Sequence, residues 1–160
     1  MIAAPFTGIR GEVRPEWILP GNPHLNLAYY LVLFDAASQA FFTELDMSGA
    51  DPKGTGFSFF AAETHTIYER EMYLGDQALV STTLMDADEK RIHLAHEMYR
   101  PGEAARIALL EIMYVSVNLA NGRASPWPED VLARIMTAKA AHDSLPRPAK
   151  TGRHVGIRRI

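Results

Sequence analysis

The segment Leu25 to Leu45 constrains this chain more than any other. Its run LAYYLVLFDAASQAFF is apolar on most of the circumference of a helix and leaves a narrow polar edge at Asp35, Ser38 and Gln39. A helix apolar nearly all round must be covered nearly all round, so it belongs inside a fold. Asp35, Ser38, Gln39 and Glu44 interrupt it too often for a membrane span, which needs roughly 20 predominantly apolar residues. Asn22-Pro23 offers an N-cap with a first-turn proline, and Asn26 can cap one turn later. The turn-forming stretch Asp51-Pro52-Lys53-Gly54 marks the far side of its end.

From Gly56 onward the pattern changes to period two with strand-forming residues. It predicts four strands over about 57–73, 77–86, 90–100 and 105–119, joined at Gly75-Asp76, Asp86-Ala87-Asp88-Glu89 and Pro101-Gly102. Turns this short make an antiparallel meander. A further strand over about 8–18 precedes the long helix, and a second helix over about 129–142 follows Pro126-Trp127-Pro128. Glu129 and Asp130 suit the positive end of that second helix, and Lys139 and His142 its negative end. The basic tail from Pro146 is expected to be loosely held, with Val155 to Ile160 available as an edge strand.

These elements give an α+β layout in one domain over residues 1–160, a curved antiparallel sheet wrapped around one long helix. The chain has 48% hydrophobic residues, enough to bury a core, and no visible internal repeat. A small sheet curved around one helix leaves edge and face uncovered, so pairing with a second copy is expected, as a homodimer or homotetramer. Net charge is −3, so no global basic field is available to draw in nucleic acid or an anionic membrane. The absence of cysteine excludes disulfides, thiolate metal sites and a cysteine nucleophile. With no basic and apolar leader at the start, a cytoplasmic location is expected.

Glu63 and His65 stand two apart on a predicted strand and share a face, which continued in register takes in Phe57, Phe59, Glu69 and Glu71. A carboxylate beside an imidazole can activate water; a solvated sheet face is the plain alternative. His93 and His96 are three apart and point to opposite faces, so they cannot chelate one metal, and no metal is expected. His96 shares its face with Ile92, Leu94 and Met98 and reads as a core histidine with satisfied hydrogen bonds; Glu97 falls outward with His93 and Tyr99. Asp35 is the one charge in the middle of the helix and is expected at a seam between subunits.

The segment Trp17-Ile18 … Asn22-Pro23-His24-Leu25-Asn26-Leu27-Ala28-Tyr29-Tyr30 resembles one group of hotdog-fold acyl-CoA thioesterases. That group is related to 4-hydroxybenzoyl-CoA thioesterases, includes betainyl-CoA thioesterases, and reads Trp-Ile/Val-Asp-x-Asn-Gly-His-Met-Asn-x-Ala-Tyr-Tyr there. Further matches follow in order: Glu63-x-His65-x-x-Tyr68-x-x-Glu71, Gly75-Asp76, Lys90-Arg91-x-His93-x-x-His96-Glu97-Met98, Glu111 and the closing prolines Pro126, Pro128, Pro146 and Pro148. The resemblance implies a hotdog subunit holding an acyl-CoA thioester at a subunit interface and hydrolysing it to acid and free CoA, without a cofactor. The helix N-terminus would polarise the carbonyl, with His24 and Asn26 contributing, and Glu63 with His65 would serve as base and orienter. Asn22, Tyr29, Tyr30 and Tyr68 would contact substrate.

Three departures bear on the chemistry. The aspartate of the family falls on Leu19 or Pro20, neither of which can be a base. The glycine before the histidine is Pro23, which has no N–H to donate, and the usual His-Val-Asp is Ser116-Val117-Asn118. The missing carboxylate favours two alternatives to a thioesterase, an acyl-CoA-binding protein without turnover and a partner subunit for another enzyme. An enoyl-CoA hydratase is a more distant alternative, echoed by Asn22-Pro23 near His24.

Overall fold

The computed structural model describes residues 4–47 and 54–157. Strand β1 (Phe6–Glu12) leads through a 3-10 turn (Pro15–Trp17) to helix α1 (Leu27–Glu44). Strands β2 (Phe57–Tyr68), β3 (Gln77–Ala87), β4 (Arg91–Tyr99) and β5 (Arg106–Asn118) form the meander. The short strand β6 (Arg123–Ala124) and helix α2 (Glu129–His142) complete it. The sheet is antiparallel in the order β1-β3-β4-β5-β2, with β6 paired to β5. Pro15 ends the first strand earlier than its apolar pattern predicts, because proline cannot donate to a ladder.

Helix α1 lies against the concave face of this sheet and buries Phe34, Phe41 and Phe42 completely. Its N-cap is Asn26 rather than Asn22: the Asn26 carboxamide oxygen accepts from the Ala28 N–H at 3.0 Å. Gly11 of β1 packs directly on Leu33 of α1, and an added Cβ would stand 2.5 Å from Leu33 Cδ2, so that side chain would have to shift. The helix is not covered all round within one chain. Leu27, Leu31 and Val32 are exposed, and Asp35 lies on the solvent-facing side with them.

One polar chain crosses the core. His96 is fully buried, with Ser38 Oγ of α1 2.8 Å from Nε2 and Thr82 Oγ1 of β3 2.9 Å from Nδ1. A hydroxyl can donate to one ring nitrogen and accept from the other, so a neutral imidazole is fully satisfied there. Burial pushes its pKa down to about 3. The expectation of a satisfied core histidine holds.

Bulges set which side chains share a face. The register of β2 against β5 slips between Ala61 and Glu63, so one extra residue turns the strand over. Phe57 and Phe59 pack with the helix-side core, whereas Glu63 and His65 lie on the outer, convex face. The expected common face for all four is therefore corrected. Nor do Glu69 and Glu71 continue it: the Glu69 and Arg70 N–H groups both donate to Ile107 O, and β2 stops at Tyr68 instead of running to residue 73.

His142 stands in the last turn of α2 as expected and is buried there, its Nδ1 accepting from the Leu84 N–H at 3.0 Å beside a second bulge in β3. One further expectation changes. The tail is strapped onto the outer face rather than loosely held. Ala149 O accepts from Arg106 Nη2 at 2.8 Å, and the Gly152 N–H reaches both Glu111 oxygens at 2.8 and 3.0 Å. Beyond it Val155 and Ile157 are exposed and form no strand, and residues 158–160 of the expected edge strand lie outside the described residues.

Replacing Ser38 with Ala should strand one nitrogen of His96 and lower stability by about 1–3 kcal/mol, read as a shift in urea midpoint. Because His96 is depressed from 6.5 to about 3, the folded state binds fewer protons than the unfolded chain. Wild-type stability should therefore fall as pH drops below 6.5.

Candidate active site

The chain between the 3-10 turn and α1 is stitched down on two sides. The Asn26 N–H donates to Trp17 O at 3.1 Å, the Leu25 N–H to Met72 O at 2.7 Å, and His24 bridges to Tyr73. This brings the start of α1 beside the segment that leaves β2. Between them opens a cleft of about 480 Å³ lined by Leu19, Asn22, His24, Asn26, Leu27, Tyr30, Tyr68 and the run Glu69, Arg70 and Glu71.

Each polar group in the cleft has a definite orientation. Asn22 Oδ1 accepts from the His24 N–H at 3.3 Å, which folds the loop onto the helix start. His24 Nδ1 lies 3.3 Å from Leu25 O. A carbonyl can only accept, so this contact fits a ring that donates from Nδ1 and leaves Nε2 directed toward Glu71. That Nε2 stands 3.9 Å from a Glu71 oxygen. Tyr73 Oη donates to the other Glu71 oxygen at 2.6 Å, and Arg100 Nη2 to the Glu71 carbonyl at 2.6 Å, which hold this residue against the cleft. At the first helical residue, the Leu27 N–H has no intrahelical acceptor and points out of the positive end of α1.

The tyrosines form the cleft's aromatic wall. Tyr30 and Tyr68 meet edge to face with ring centroids 5.2 Å apart. Tyr30 Oη accepts from the Met72 N–H at 3.1 Å, and Tyr68 Oη donates to Leu27 O at 3.4 Å. Desolvation raises both phenols above 10.0. Tyr29 is elsewhere: its ring stacks on Trp17 with centroids 5.3 Å apart, so it supports the loop rather than lining the cleft.

Glu69 forms the far wall under strong electrostatic control. Arg106 donates to both of its oxygens, at 3.1 and 3.0 Å, and Lys150 Nζ lies 2.6 Å from Oε1. Hydrogen bonding to the Arg106 guanidinium, reinforced by Lys150, holds its carboxyl down at about 2.

Glu63 and His65 line a different cleft, of about 260 Å³, on the outer face with His93, Glu111, Gly152 and Arg153. Glu111 is nearly buried there, 3.2 Å from His93 Nε2 and 4.0 Å from His65 Nδ1. Within one chain, then, the expected base and orienter do not stand with His24 and Asn26. Among the described residues no group of three or more His, Asp or Glu side chains is placed to hold a metal. Glu71 is the group that sequence reasoning passed over. Its family match placed it, but pairing with His24 depends on the bridge between residues 24 and 73, which no local pattern announces.

A curved sheet around one central helix, with a cleft at that helix's start, defines a hotdog fold. The chain belongs to the thioesterase-like superfamily, whose profile matches residues 13–135. It is 35% identical over 152 residues to a betainyl-CoA thioesterase of Pseudomonas aeruginosa, covering 95% of each chain. It is also 29% identical to an L-carnitine dehydrogenase/betainyl-CoA thioesterase of Rhizobium meliloti, of which it spans 31%. Among solved structures, a Staphylococcus aureus protein in complex with CoA superposes with a TM-score of 0.88 at 25% identity, covering 99% of this chain and 98% of that one. A Thermus thermophilus thioesterase complexed with coenzyme A and Zn shares the fold with a TM-score of 0.68 at 24% identity, over 84% of this chain and 94% of that one.

Glu69 is depressed from 4.5 to about 2, so its ion pairing stabilises the fold fully above pH 4.5 and is lost as pH falls toward 2. Replacing Arg106 with Met should lower the urea midpoint at pH 7 by more than at pH 2. An equal loss at both would show that packing, not pairing, is the contribution of Arg106.

Proposed function

We propose that this chain is an acyl-CoA thioesterase that holds its thioester in the cleft at the start of α1 and uses His24 as the base. The observation that carries the proposal is the placement of His24 in this cleft beside the positive end of α1, with Nδ1 against the Leu25 carbonyl and Nε2 on the side of Glu71. Water attacks the thioester carbonyl carbon while Nε2 takes its proton. The developing oxyanion is met by the Leu27 N–H and the Asn26 carboxamide. Glu71 stabilises the imidazolium that forms. As the tetrahedral intermediate collapses, the C–S bond breaks and His24 returns the proton to the CoA sulfur. The products are a carboxylic acid and free CoA, and no cofactor takes part.

The acyl group we assign is small and cationic. The Tyr30 and Tyr68 rings with Glu71 offer the aromatic faces and negative charge that a quaternary ammonium group favours. The Pseudomonas aeruginosa relative named for betainyl-CoA supports the same class. A homodimer or homotetramer completes the reading, since β2 leaves one edge unpaired among the described residues and Leu27, Leu31, Val32 and Phe60 are exposed. No described helix is long and apolar enough to cross a membrane, and we place the enzyme in the cytoplasm.

A second reading, binding without turnover, is favoured by one observation: Leu19, which with Pro20 is one of the two positions on which the family's aspartate falls, lines the cleft with an apolar side chain. A thiol-release assay on betainyl-CoA and short neutral acyl-CoA esters separates the two. Turnover is expected, with His24→Gln lowering kcat by about 100-fold or more, Glu71→Gln by about tenfold, and Glu63→Gln leaving it unchanged. Saturable binding with no thiol release would establish the second reading, and full activity in His24→Gln would reject the base assignment.

A further inference from the structure

The tail strap reaches the cleft through one side chain. Lys150 adopts φ 75°, a left-handed conformation that costs a non-glycine residue energy and that glycine would accept freely. In this conformation its ammonium meets Glu69 Oε1 at 2.6 Å, and Glu69 is part of the cleft wall. The backbone on either side is pinned, with Ala149 O on Arg106 and the Gly152 N–H on Glu111. A strained residue held between two anchors, with its charge delivered to the site, suggests that the charge is what the conformation is kept for.

The local charges make the consequence definite. Arg106 also donates to Glu97 Oε1 at 2.7 Å, so Glu69 and Glu97 are matched by Arg106 and Lys150. The wall formed by Glu69 is therefore electrically balanced only while Lys150 is in place. Arg70, Glu71 and His24 line the same cleft.

We propose that Lys150 is a positioning and specificity residue of the thioester cleft, acting through Glu69 to cancel its charge and so limit the preference for cationic over neutral acyl groups. The inference rests on the reading that the thioester occupies this cleft. Removing the ammonium leaves one uncompensated negative charge on the wall, which favours a cationic acyl group and is indifferent to a neutral isostere. Comparing the two acyl groups cancels any effect on the CoA moiety, which both substrates share.

The test compares kcat/KM for betainyl-CoA and its uncharged isostere 3,3-dimethylbutyryl-CoA in wild type, Lys150→Gly and Lys150→Arg, each as the full chain. Glycine suits the backbone at this position, so the urea midpoint of Lys150→Gly should not fall beyond the loss of the pair itself. The ratio of cationic to neutral substrate should rise about threefold or more in Lys150→Gly, chiefly through KM, and return to the wild-type value in Lys150→Arg. An unchanged ratio in Lys150→Gly while wild type turns over both substrates would overturn the role of Lys150 and leave the thioesterase reading standing. Absence of turnover in wild type would instead remove that reading and this inference with it. A loss shared equally by both substrates and not restored by arginine would also overturn it, since a merely structural strap has no reason to distinguish them.

Discussion

Everything in this molecule is positioned by the burial of α1 in the concave face of the sheet. Phe34, Phe41 and Phe42 enter the core completely, and Tyr30, Leu33 and Ala37 follow them. A buried Phe or Leu side chain contributes about 1.5–3 kcal/mol relative to exposure, so this one face outweighs any single polar contact in the fold. The helix axis is then fixed, and so is the place where its unsatisfied first N–H groups emerge. The cleft lies at that end because the loop from Trp17 to Asn26 is bonded between the helix start and the strand exit at Met72. The polar chain Ser38–His96–Thr82 sets the depth and register of this packing, because any slide of α1 would leave an imidazole unpaired in the core.

Sheet irregularity decides which chemistry goes where. The extra residue in β2 turns Glu63 and His65 to the convex face, while Tyr68, farther along the same strand, faces α1. A carboxylate and imidazoles thus gather around Glu111 on one side of the sheet, and His24, Glu71 and the tyrosines on the other. The two groups share residue types but differ in surroundings. The convex cluster is enclosed by the tail strap, and the cleft opens beside a helix N-terminus.

Electrostatics then separates the three acidic residues near the cleft by the company they keep. Glu69 is locked as an anion by Arg106 and Lys150, which makes it a poor proton acceptor. Glu71 has the Tyr73 hydroxyl on one oxygen and His24 near the other, which places its charge beside the imidazole. Glu97 serves Arg106 from the convex face and ties the two sides together. The tail contributes to this arrangement because Lys150 is delivered to the network.

Much of the fold was legible in the sequence because it is written in local periodicity. The buried helix, the meander with its turns and α2 over 129–142 follow from spacing of apolar residues and from turn chemistry, and strand ends moved by a few residues where Pro15 or a carbonyl shared by two N–H groups intervened. His96 as a core histidine and the opposed faces of His93 and His96 followed from strand parity. Of the candidate cleft, His24, Asn26, Asn22, Tyr30 and Tyr68 were singled out through the family resemblance, and they line one cleft here. What only the tertiary structure decided is the parity break in β2, the pairing of His24 with Glu71 and the docking of the tail. Each depends on contacts between residues far apart in the chain. A bulge is set by the partner strand, and the approach of His24 to Glu71 by where two loops are bonded, and neither leaves a local signature to read.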